Sequence, residues 1–80
     1  MKYYRQCDLQ NGNTVQTAWI EERGATKGFR ITLKDSDDPT ILWEVTAVYS
    51  KLPKDLVHER AREHVHIAGA GSLGGLRGNK

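Results

Sequence analysis

The sequence predicts a small, mainly β domain of the α+β class. Its four antiparallel strands would form an SH3-like, partly open barrel or an open sheet, with one C-terminal helix. Three observations predict this. An Asn-Gly turn lies between two alternating segments, a further amphipathic strand follows, and a four-residue apolar period begins after Pro53. The chain has 80 residues, enough for one domain, and a domain this small buries only roughly 60% of the surface its unfolded chain exposes.

The first hairpin centres on Gln10-Asn11-Gly12-Asn13. Asn-Gly tolerates the positive φ angles that a type I′ turn requires. Its flanks, Tyr3 to Leu9 and Thr14 to Ile20, are rich in aromatic and β-branched residues. Val15, Thr17 and Trp19 share one face of the second strand by its two-residue period, with Gln16 and Ala18 on the other. Trp19 and Trp43 are both expected in the core.

Glu21 to Gly28 reads as a loop. Phe29 to Lys34 alternates cleanly, with Phe29, Ile31 and Leu33 on one face and Arg30, Thr32 and Lys34 on the other. Asp35-Ser36-Asp37-Asp38-Pro39 is a turn of side chains that bond their own backbone. Ile41 to Tyr49 is the fourth strand, with Trp43, Val45 and Ala47 inward and Glu44 and Thr46 outward. After Pro53, the spacing of Val57, Ala61 and Val65 predicts a helix over about 54–66. The domain is thus expected over 1–68. Residues 69–80 hold five of the eight glycines and read as a disordered tail.

The elements Tyr4…Cys7-Asp8-Leu9, Gln16-Thr17-Ala18-Trp19-Ile20, Ala25…Gly28, Ile31-Thr32-Leu33-Lys34 and Trp43-Glu44-Val45 carry a resemblance. Over about residues 3–48 the chain resembles small uncharacterised proteins of tailed bacteriophages and prophages. Those proteins often place Pro-Glu after the Trp-Ile pair, where this chain has Glu21-Glu22. The resemblance implies a phage context and supplies no activity and no functional residues.

Composition narrows the function classes. The net charge is +2, with six basic and six acidic side chains in residues 1–40 and six basic and four acidic in 41–80. A nucleic-acid binder clusters its basic residues, whereas this chain interleaves both signs. One cysteine permits neither an intramolecular disulfide nor a CxxC pair. The N-terminus has no apolar stretch of the signal-peptide kind, and no apolar run approaches the ~20 residues that span a bilayer. A soluble, cytoplasmic protein without membrane contact is the resulting expectation.

Catalytic and cofactor constellations are not found. His58, His64 and His66 lack the i,i+4 spacing of a helical metal pair. Counting from Asp35, a calcium loop would need glycine and glutamate where Thr40 and Thr46 stand. Cys7 sits in a strand register with Leu9 and reads as a small buried hydrophobe. The glycine-rich end lacks the GKS or GKT of a phosphate-binding loop. No enzyme, no cofactor and no metal are expected.

Two polar surfaces remain as binding candidates. One combines Tyr3, Tyr4 and Arg5 with Arg30, Thr32 and Lys34, where aromatic rings could stack bases and cations hold phosphates. The other is the helix surface His58, Arg60, Arg62 and His64. Acids beside both, Asp8 and Glu44 for the first and Glu59 and Glu63 for the second, favour a protein partner over nucleic acid. Self-association through an uncovered edge strand is a third expectation.

Overall fold

The computed structural model describes residues 2–69. Six strands form one sheet: β1 (Tyr3–Asn11), β2 (Thr14–Glu21), β3 (Arg30–Leu33), β4 (Trp43–Pro53), β5 (Arg62–Glu63) and β6 (Val65–Gly69). Their order is β5-β2-β1-β4-β3-β6. All neighbours are antiparallel except β2 and β5. The two marginal strands are successive stretches of chain separated by His64 alone. The sheet therefore rolls until both of its margins reach residues 62–69.

β1 and β2 pair without interruption from Tyr4↔Glu21 to Asn11↔Thr14. The two-residue loop is therefore Gly12-Asn13, one position later than an Asn-Gly centre. Gly12 has φ +58°, and among the described residues no non-glycine residue has positive φ. This is the type II′ pattern, with glycine at the first central position.

The core consists of Cys7, Leu9, Ile20, Ala25, Ile31, Leu33, Trp43, Val45 and Val65, with Phe29 and Ile67 among the side chains packed against it. Trp43 is in the core as expected; Trp19 is not. The inward face of β2 is Ala18 and Ile20, and Trp19 lies half-buried on the opposite face. The two-residue period leaves the choice of face open, and the pairing with β1 makes it. Cys7↔Ala18 sets Ala18 beside a core side chain of β1, and Ile20, two residues further along β2, shares that face.

In β4, alternation fails after Val45. The register with β1 jumps between Asp8↔Ala47 and Leu9↔Val45, leaving Thr46 as an extra residue. A bulge of this kind moves the following side chains to the opposite face. Val48 packs against the core in place of the expected Ala47.

The expected helix over 54–66 is absent, and the strand number is six rather than four. Pro53 is followed by two single 3-10 turns, Lys54–Leu56 and Glu59–Ala61, and then by β5 and β6. The periodic valines are buried as the pattern demands, Val57 beside the turns and Val65 in the core. A helix would have left the backbone of β3 and the inner end of β2 unpaired on one side, a large cost for buried groups. Extended chain satisfies both. Arg62 and Glu63 pair with Trp19 and Ile20, and residues Val65 to Gly69 pair with β3. Gly69, expected to open the tail, thus closes β6, and residues 70–80 lie outside the described part.

The closing segment also explains Gly24, which is buried in the 3-10 turn after β2. A Cβ there would lie 2.8 Å from Val65 Cγ2 and 3.6 Å from Ile31 Cγ2. Overpacking of this kind costs about 1–3 kcal/mol. Gly24→Ala is expected to lose that much in urea unfolding. A loss below about 0.5 kcal/mol, the range of an ordinary surface change, would mean that the turn yields freely.

Candidate functional site

The structure separates the residues read from sequence as a binding surface. Tyr4 is 2% exposed and cannot stack on a ligand. Burial pushes its hydroxyl pKa up, and the charge of Glu21 adds to this. Tyr3 carries Lys51 over its ring, with Nζ 4.7 Å from the centroid. The same ammonium lies 3.3 Å from Glu22. Arg5 Nη2 donates to the Tyr49 carbonyl at 3.0 Å.

Arg30, Thr32 and Lys34 do share one side of the β3 region, but it is far from Tyr3–Arg5. Arg30 pairs with Glu44, which pairs with Gln10. Gln10 lies five residues along β1 from Arg5, so that row is about 17 Å away at the strand rise. Arg30 stands opposite an acid, as the charge pattern had suggested. The remaining pair, Arg60 and Arg62, loses its shared surface with the helix. Arg60 is exposed in a 3-10 turn, where its N–H donates to His58 Nδ1 at 3.0 Å. Arg62 Nε donates to the Val57 carbonyl at 3.1 Å. His64 Nδ1 lies 2.9 Å from Asp35 Oδ2, with both side chains exposed. Among the described residues, no three His, Cys, Asp or Glu side chains gather into a metal-binding group.

Cys7 has no exposed surface. Burial pushes its thiol up to about 11, against a lowering by Arg5 and with a small rise from Asp8. At neutral pH it is a thiol, the unreactive form. Glu21, at the end of β2, is shifted in the opposite direction. Burial alone would raise its pKa. The Val65 N–H, which donates to it at 3.0 Å, and Arg23 together hold it below the usual range, with a smaller contribution from His64. Arg23 also donates to the Val65 carbonyl. These contacts tie the end of β2 to the start of β6 and are spent on closing the sheet.

The outer edge of β2 is open over most of its length. β5 covers it only at Trp19 and Ile20. Among the described residues, nothing pairs with it from Thr14 to Ala18. Thr14 to Thr17 are exposed, and Val15 is 59% exposed.

The hairpin determines which backbone groups face outward. A two-residue turn is closed by hydrogen bonds between its flanking residues, here Asn11 and Thr14. Bonded and non-bonded pairs alternate along an antiparallel ladder. Thr14, Gln16 and Ala18 therefore direct N–H and C=O toward β1, and Val15 and Thr17 direct theirs outward. Trp19, next in the series, meets β5.

Edge strands of natural proteins are usually defended by charge, proline or a bulge. Thr14–Ala18 has none of these, and the β1–β2 register is regular throughout. The flanking face is ordered. Asp8 accepts from Thr17 Oγ1 at 2.9 Å and from the Tyr49 hydroxyl at 2.7 Å, and the bond to Asp8 raises the pKa of Tyr49. Exposed Tyr49 and Val15 thus flank a pinned polar row. A signal for this edge was present in the sequence. No Asp, Glu, Lys or Arg occurs between Asp8 and Glu21 in a chain that is 28% charged.

No protein-family model matches the chain, and no curated protein or solved structure is significantly similar to it.

Proposed function

We propose that the protein is a non-catalytic accessory module, of the kind tailed phages encode, that binds another protein by adding a strand to β2. The single observation carrying this reading is the open, uncharged and regular edge from Thr14 to Ala18. Strand addition draws affinity from main-chain hydrogen bonds and specificity from alternate side chains, here Val15 and Thr17. A host or phage protein is the partner class, and the resemblance over residues 3–48 supports the phage context. The finer scaffold reading, a partly open SH3-like barrel, is supported by the convergence of both sheet margins on residues 62–69.

Nucleic-acid binding is the weaker reading, since Tyr4 is buried, Arg5 and Arg62 donate to carbonyls, and Lys51 lies against Glu22. At about 0.15 M salt the Debye length is about 8 Å, so neighbouring opposite charges cancel at useful range. The expected result is no gel shift with duplex or single-stranded DNA or RNA at micromolar protein. Affinity capture from host lysate is expected to recover one stoichiometric protein, and Val15→Pro, which removes an outward N–H, should abolish capture. Salt-sensitive nucleic-acid binding lost in the Arg30→Ala, Lys34→Ala double variant would overturn the proposal.

A further inference from the structure

We infer that the edge of β2 also receives a second copy of this chain, the two β2 strands running antiparallel about a twofold axis at Gln16. This rests on the strand-addition reading of the same edge and names an occupant for it.

The hydrogen-bond parity selects the register. Only Val15 and Thr17 present outward backbone groups in the open stretch. Centring the axis on Gln16 sets Val15 opposite Thr17 of the second copy, and Thr17 opposite its Val15. Both bonded pairs then form, and the two Gln16 residues meet as the non-bonded pair between them. Centring on Val15 would set Thr17 against Asn13 of the turn. Centring on Thr17 would set Val15 against Trp19, whose edge β5 already occupies. The Gln16 register alone uses all the open groups.

Charge and side chains agree with this pairing. Like charges directly opposite one another destabilise a ladder, and Thr14–Ala18 contains no charge to oppose. The cross-strand pairs are Val with Thr, Thr with Ala, and Gln with Gln, whose amides can donate and accept reciprocally. The contact is isologous, so it closes at two copies and does not propagate as a fibre. Five residues per copy form a contact well below the ~1,200–2,000 Å² of a stable interface, so the dimer is reversible and concentration-dependent.

Sedimentation equilibrium from micromolar to near-millimolar protein, with amide exchange, tests this. The average mass of the full chain should rise from 9.0 kDa toward twice that value. The Val15 and Thr17 amides should gain protection with concentration, while the Gln16 amide, bonded to β1, stays protected throughout. Val15→Pro should hold the mass at one chain with an unchanged far-UV spectrum. Val15→Lys, which keeps the backbone donor and adds a charge, should weaken association at least tenfold. A wild-type mass of one chain at the highest concentration, with Val15 and Thr17 exchanging freely, overturns the inference. Dimerisation of both variants as tight as wild type does so too. Failure of the strand-addition reading looks different: a lysate partner captured equally by wild type and Val15→Pro.

Discussion

Trp43→Ala is expected to remove most of the stability of the domain. Trp43 begins β4 opposite Ile31 and is 7% exposed, packed among core residues drawn from five strands. Truncating a buried tryptophan costs about 3–5 kcal/mol, from lost transfer energy and the cavity left behind. Small domains have about 5–15 kcal/mol in total, with the lower end appropriate to a chain this short. At about 4–8 °C per kcal/mol for a domain of this size, the midpoint should fall by at least about 12 °C. Thermal unfolding followed by far-UV circular dichroism reads this directly. A variant that melts within a few degrees of wild type would show that Trp43 lies outside the core.

Ile20→Ala should be nearly as damaging, and Trp19→Ala much less so, although tryptophan is the larger side chain. Ile20 is fully buried where β5 closes over the end of β2. Removing its three outer carbons should cost about 2–5 kcal/mol. Trp19 lies half-buried on the opposite face, between Gln6 and Arg62 in the sheet register. Its truncation should cost about 1 kcal/mol, the usual size of a substitution that opens no core cavity. Paired urea titrations decide the matter. A larger loss for Trp19→Ala than for Ile20→Ala would reverse the facing of β2.

The candidate edge was half legible in the residues. Asn-Gly, the alternation on either side and the absence of charge between Asp8 and Glu21 all mark a hairpin with an undefended strand. Whether that strand is marginal or central is a property of its neighbours. That follows from the parallel pairing of β5, whose two residues cover Trp19 and Ile20 and stop there. The basic-aromatic surface failed for the same reason. Arg30 and Arg5 lie in different rows of a sheet whose register contains a bulge at Thr46, and Tyr4 became buried.

By itself, the sequence determined the local elements: the first hairpin, the inward triplet Phe29, Ile31 and Leu33, the Asp-rich turn, and the burial of Cys7, Trp43 and Val45. These depend on a two-residue period and on turn chemistry, which act over a few positions. Tertiary structure alone decided the facing of β2, the fate of residues 54–66 and the need for Gly24. The spacing of Val57 and Val65 satisfies a helix and, equally, a turn followed by a strand, because both bury the two valines. Unpaired backbone on β2 and β3 broke that tie, since its hydrogen bonds could be completed only by extended chain arriving from more than thirty residues away.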